Sequence, residues 1–230
     1  MSELRHELEN VEKERVTQRG KRLNSAAPKI SLVGYTNAGK STIMNNLLQL
    51  YGGEDFEEKQ VLEELLEGAM MAPSGVNTQP WYFVVLESSG AVEEYRDLMH
   101  RTAGNFRKTL EKRFPNNPDV VDTTIDYMST MGGAPVIVLA FYNRPEFSED
   151  VKSNPHLQSM AAAIENLLLM AWDKGIASCW MTAPIAMGVD KALEETYAPG
   201  RGEFVAAVAL GYPDQAPKMP ARRAGRVKFL

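Results

Sequence analysis

Residues 157–174, LQSMAAAIENLLLMAWDK, limit the fold more than any other segment, because they are apolar nearly all round a helical turn. A helix of this kind has no face made for water alone and is buried on several sides. The rest of the chain must therefore surround it. At 230 residues there is length for one sizeable core, or one core with a short appendage. Four apolar runs of strand length can share that core: Trp81–Leu86, Val136–Phe141, Ile176–Met181 and Phe204–Leu210. Further helices are predicted over 57–71, over most of 91–131 with a break at Pro115–Pro118, and over 187–197. The first of these puts Val61, Leu62, Leu65, Leu66 and Ala69 on one face and stops at Pro73. This mixture predicts a layered α/β or α+β domain.

Composition removes several functions. There are 25 Lys+Arg against 30 Asp+Glu, a net charge of -5, so nothing electrostatic favours nucleic acid. The longest apolar run, Ala134–Tyr142, is too short to span a bilayer. The first residues are charged and lack an apolar h-region, so the expected location is cytoplasmic. The lone cysteine, Cys179, gives no disulfide and reads as a small buried hydrophobe rather than a nucleophile. No metal-ligand set and no acid–base pair stand out. Trp81, Trp172 and Trp180 read as core or interface packing.

The chain changes character near residue 50. Upstream, Leu4, Leu8 and Val11 mark one thin stripe on a charged, solvated helix. A short strand, Ile30–Val33, then leads into Gly34-Tyr35-Thr36-Asn37-Ala38-Gly39-Lys40-Ser41, and a helix is predicted from Thr42 to Leu50. The loop matches GxxxxGK(S/T) in the strand–loop–helix context that motif needs. Its backbone N–H groups would cradle phosphate, with Gly34 and Gly39 allowing the turn, Lys40 on the terminal phosphates and Ser41 on magnesium. The runs LENVEKERVTQRGKR and ISLVGYTNAGKSTIMNNL resemble the HflX-type GTPases. No DxxG and no NKxD pattern follows between 42 and 230, so the G domain is incomplete.

Residues 51–230 resemble the FMN-dependent nitroreductase family. Three stretches carry the likeness: LEELLEGAMMAPSGVNTQPWYFVVL, QSMAAAIENLLLMAWDKGIASCWMTAPI and FVAAVALGYPDQAPKMPARR. The resemblance implies a three-layer α/β/α form of the α+β class with a mostly antiparallel sheet. It also implies a homodimer with the flavin between subunits, and a C-terminal arm, here Val227–Leu230, that wraps the partner. Ser74, Asn77 and Gln79 lie on a loop bounded by Pro73 and Pro80, and side-chain amides suit a ring edge that both donates and accepts. The same residues also suit an ordinary turn. The resemblance implies that Pro73, Ser74 and Asn77 contact FMN with Gln79 close by. By the same likeness Met181, Thr182 and Ala183 lie over the ring, and Arg222 or Arg223 holds its phosphate. The family's RRSxR segment is absent, its place in the chain being taken by the phosphate loop.

These features lead to an FMN-dependent oxidoreductase. NAD(P)H would reduce the flavin by hydride transfer to N5, and a nitroaromatic or quinone-like small molecule would then accept the electrons in a ping-pong cycle. The alternatives are a GTP-binding module related to HflX and an inactive fusion that has lost FMN. The domains expected are 1–50, the GTPase-like fragment, and 51–230, the nitroreductase-like domain. The donor's phosphate, the physiological acceptor and the dehalogenating or flavin-degrading branches of the family are left open by the residues.

Overall fold

A computed structural model describes residues 29–30, 55–143, 154–214 and 221–229. The helix expected at Leu4–Val11, the loop residues Gly34, Gly39, Lys40 and Ser41, the helix from Thr42 and the terminal Leu230 lie outside the described residues. The chain order is β1 (Lys29–Ile30), α1 (Asp55–Met70), β2 (Trp81–Leu86), α2 (Ser89–Thr102), α3 (Gly104–Arg113) and α4 (Pro118–Thr130). Then come β3 (Val136–Tyr142), α5 (Pro155–Asp173), β4 (Ala177–Met181), α6 (Ala183–Met187), α7 (Asp190–Tyr197) and β5 (Glu203–Pro213). Four strands pair antiparallel in the order β2-β3-β5-β4, and β1 adds two residues parallel to Tyr212–Pro213 of β5.

Alternation along the strands decides the layers. Ile137, Leu139 and Phe141 of β3 face the same side as Tyr82, Val84, Cys179 and Met181, and pack against Tyr95, Met99, Met128, Met131, Met187 and Leu193. Val138, Ala140 and Tyr142 face the other side with Trp81, Phe83 and Trp180, against Leu65, Ala69, Met160, Ile164 and Leu167. One face is thus covered by α2, α3, α4, α6 and α7, and the other by α1 and α5. This is the expected three-layer α+β architecture. Because both faces are covered, the strands carry apolar residues on both sides.

The β3–β5 ladder contains an irregularity invisible in the sequence. Ala140 pairs with Ala206 but Phe141 pairs with Phe204, leaving Val205 as an extra residue. Val205 and Ala206 therefore both face the α1–α5 layer, while Phe204 returns to the other side and meets the Phe141 ring edge-on at 5.6 Å.

Helix ends follow their punctuation. Ser88 caps α2 by accepting from Ala91 N–H, and Asn154 caps α5 by accepting from Leu157 N–H with Pro155 next. The helix predicted at 187–197 begins at Asp190 as α7, and a separate short helix, α6, precedes it and is closed by Gly188, whose φ of +76° is left-handed. Helices α1 and α5 approach closely at Gly68, where an added Cβ would meet Met170, and Asn166 donates to the Gly68 carbonyl at 3.3 Å.

Two outcomes follow. Gly202 holds φ +117°, and a Cβ there would stand 2.1 Å from the Tyr142 carbonyl oxygen. Gly202→Ala should lower stability by about 3 kcal/mol, seen as a lower urea midpoint with an unchanged slope. Tyr95 is fully buried, and burial pushes its hydroxyl far above the ordinary 10.0, with Tyr197 adding in the same direction. Above that ordinary value the unfolded chain gives up a proton that the folded chain keeps. Its contribution is therefore complete below about pH 10 and is lost at up to about 1.4 kcal/mol per pH unit above it. Tyr95→Phe should make the alkaline decline shallower by one proton in denaturation series between about pH 9 and 11.5.

Candidate functional site

The segment between α1 and β2 is a compact turn with unusual backbone. Val76, Asn77 and Gln79 have φ of 53°, 55° and 46°. Left-handed backbone costs an L-residue about 1–2 kcal/mol, and for a β-branched residue it is a genuine outlier. Val76 is also 99% exposed, so packing of its own side chain does not compensate. The compensation is in hydrogen bonds. Ser74 Oγ accepts from Gln79 N–H at 3.0 Å, the Ser74 carbonyl from Asn77 N–H at 3.1 Å, and the Gly75 carbonyl from Thr78 N–H at 3.1 Å and Thr78 Oγ1 at 2.9 Å. Gln79 Nε2 donates to Asn77 Oδ1 at 3.1 Å. That pairing turns the Asn77 amide donors and the Gln79 carbonyl to the exterior of an exposed turn. A planar ring edge with alternating donors and acceptors is the kind of group this array fits.

The register places this turn. Trp81 pairs with Tyr142 and Tyr142 with Glu203, so the turn stands at the Glu203 end of the sheet. The second predicted segment leaves β4 toward that same end, but stops short of it, since Met181 pairs with Ala207. Met181 and Ala183 are buried in the α2–α4 layer and Thr182 is exposed at the start of α6. The turn at 74–79, by contrast, rests on α5 in the opposite layer through a hydrogen bond from Gly75 N–H to Ser159 Oγ. The two segments are three strand spacings apart, about 14 Å. No hydrogen bond joins them among the described residues. Pro73 is exposed at the head of the turn. Arg222 and Arg223 follow the far end of β5, roughly 35 Å from Glu203 along the strand, and are exposed.

Cys179 is half-buried on the α2–α4 side; burial raises its thiol, against a smaller lowering by the Tyr127 hydroxyl. A raised thiol favours the protonated form, which is the weaker nucleophile. No group of three or more His, Cys, Asp or Glu residues able to hold a metal occurs among the described residues. No described helix is long and apolar enough to cross a membrane.

Sequence reasoning missed the supports behind the turn: Ser159, Asn154, Tyr142 and Glu203. Asn154 Nδ2 donates to Tyr142 Oη at 2.7 Å, and Tyr142 Oη donates to Glu203 Oε2 at 3.1 Å. The pair Asn154-Pro155 is a legible helix start, and could have drawn attention to the end of α5. Nothing in the sequence places Ser159 beneath residue 75.

Comparison with known proteins decides the family. The model of the "Nitroreductase family" matches residues 56–212. The chain belongs to the nitroreductase family. It is 28% identical over 171 residues to YfhC of Bacillus subtilis, which bears the name of an NAD(P)H nitroreductase, covering 74% of this chain and 81% of that protein. It is 30% identical over 169 residues to an iodotyrosine deiodinase of Thermotoga neapolitana, covering 71% and 84%. Among solved structures, a BluB-like flavoprotein from Clostridium difficile superposes with a TM-score of 0.57 at 25% identity, covering 78% of this chain and 92% of that one. A second model, "50S ribosome-binding GTPase", matches residues 29–61, overlapping the first at 56–61. The corresponding relative is the GTPase HflX of Alkalihalophilus pseudofirmus, 39% identical over 114 residues, which cover 49% of this chain but 24% of that GTPase. The nitroreductase fold and both resemblances are therefore as expected.

The backbone of the turn gives its own test. Val76→Gly should raise the stability of the flavin-free chain by about 0.5–1 kcal/mol in urea unfolding, since glycine relieves left-handed strain at a smaller entropic cost. A lowered midpoint would mean that Val76 is not strained in solution.

Proposed function

We propose that this nitroreductase-family chain is an FMN-dependent oxidoreductase that takes electrons from NAD(P)H and passes them to a small electron-poor acceptor. The observation that carries this is the exposed, left-handed turn at 74–79, which presents Asn77 and Gln79 amides at the end of the sheet. Strained backbone held by its surroundings is a mark of a binding site rather than of an ordinary turn. Bound FMN would supply the ring that accepts and returns a hydride, so no protein nucleophile or acid–base pair is needed.

In this reading Ser74, Asn77 and Gln79 hydrogen-bond the ring edge and ribityl region, and Pro73 walls the turn. Met181, Thr182 and Ala183 close over the opposite side and exclude water. Arg222 or Arg223 pairs with the phosphate, a geometry guanidinium forks suit. The turn and the β4 exit stand in opposite layers of one chain, so a homodimer supplies a complete pocket more readily than a monomer. Exposed Met70 at the end of α1, Met71 just after it, and Leu169 and Trp172 on α5 offer the apolar surface for it. The same reading places the join with the GTPase-like fragment near residue 50, just ahead of α1, and the protein in the cytoplasm. A second reading, a halogenated tyrosine as acceptor, is favoured by the 30% identity to the deiodinase.

The test is an absorption spectrum of the purified chain with the released cofactor identified, then NADH and NADPH oxidation with nitroaromatic, quinone and iodotyrosine acceptors. Bound or readily taken-up FMN and donor-dependent turnover are expected. A colourless chain that also refuses added FMN would leave an inactive fusion as the better description, and GTP binding would then be measured.

A further inference from the structure

Among the described residues, two hydrogen bonds hold the turn at 74–79 and the proline that follows it to the rest of the molecule. One is main chain to main chain: Asn143 N–H donates to the Pro80 carbonyl at 2.9 Å. The other passes through a single side chain. Ser159 is 5% exposed; its Oγ donates to the Pro155 carbonyl at 2.7 Å and accepts from Gly75 N–H at 3.2 Å. The bond back to Pro155, one turn earlier in α5, fixes the hydroxyl so that a lone pair faces residue 75. Gly75 lies on Pro155 as well, where an added Cβ would sit 3.6 Å from the proline Cβ.

The end of α5 is itself held. Asn154 caps it and is tied through Tyr142 Oη to Glu203, and His156 Nδ1 lies 2.8 Å from the Asn143 carbonyl. Ser159 therefore stands on a fixed platform joined to β3 and β5. Three residues of the turn lie in left-handed backbone and would relax toward ordinary φ if released. Relaxation would move Asn77 and Gln79, whose side chains carry the binding chemistry.

We propose that Ser159 is a positioning residue for the flavin: it holds the 74–79 turn in its binding conformation through Gly75 without touching the ligand. This rests on the FMN reading above. In Ser159→Ala the Gly75 N–H loses its acceptor and the turn loosens before FMN arrives.

The experiment titrates FMN into flavin-free full-length chain by fluorescence and follows amide hydrogen exchange at Gly75 in the same flavin-free samples. Ser159→Ala should weaken FMN binding about tenfold, the scale of one lost hydrogen bond. It should also speed exchange at Gly75 without speeding it in β3 or β5, which a general loss of stability would do. Ser159→Thr keeps a hydroxyl able to bond back one turn, and should restore both to within about threefold. Should the alanine variant fail to fold, Ser159→Cys, of similar size and a weaker acceptor, should show a smaller loss in the same direction. Wild-type FMN affinity together with wild-type Gly75 exchange in Ser159→Ala, or in Ser159→Cys where the alanine variant does not fold, would overturn the assignment. A wild-type chain that takes up no FMN would overturn the FMN reading and this inference with it; a wild-type chain that binds while Ser159→Ala binds equally well would overturn the inference alone.

Discussion

The pairing of β3 with β5 is what the rest of the molecule depends on. Both strands are buried along nearly their whole length, and both carry apolar side chains on each face. Such a pair cannot stand with one face wet, so two helical layers are required rather than one. The extra residue at Val205 adjusts the pair at its Glu203 end, turning Phe204 onto Phe141 while leaving Tyr142 on the α5 side. That adjustment brings the Tyr142 hydroxyl to Glu203 and Asn154, and so fixes the start of α5. The close contact of Gly202 with the Tyr142 carbonyl belongs to the same corner, and explains why a residue without Cβ stands there.

Much of this is legible in residues. The four strands were marked by apolar runs, α1 by its periodicity and α5 by its all-round apolarity, because burial writes itself into composition. The starts of α2 and α5, at Ser89 and Pro155, were each missed by two residues, although Ser88 and Asn154-Pro155 punctuate them. The short helix α6 was also missed: Met181–Ile185 reads as the segment after a strand, and Gly188 closes the helix after only 5 residues. The bulge at Val205 was illegible because Phe204–Leu210 is apolar at every position, so a shift of register leaves the pattern unchanged. The all-round apolarity of 157–174 predicted burial on several sides; within one chain Leu169 and Trp172 are instead 57% and 63% exposed. An apolar pattern does not by itself distinguish a side chain buried within the chain from one left at its surface.

The candidate site divides the same way. The residue types on the 74–79 turn and after β4 were visible, as a motif and as a resemblance. Their arrangement was not. Strand order separates them, and the layers they rest on face opposite ways, a consequence of which helix each follows or precedes. The exposed apolar side chains of α1 and α5 lie on the layer that carries the turn. On the proposed homodimer, the surplus apolarity of α5 and the divided site would have one common explanation.

The missing RRSxR segment sharpens what the turn must do. On the proposed reading, a flavin site without the RRSxR segment would rely on Arg222 or Arg223, which lie in a described stretch without helix or strand. Ordering such a segment on binding costs conformational entropy, which subtracts from the gain of the ion pair. A turn already in its binding conformation has no such cost at the moment of binding, because its strain is offset in the folded chain by Ser74, Thr78 and the platform under Gly75. If FMN is bound on this reading, affinity lost at the phosphate would shift the burden to the ring edge, where rigidity of the turn would count for more than beside a strong phosphate clamp.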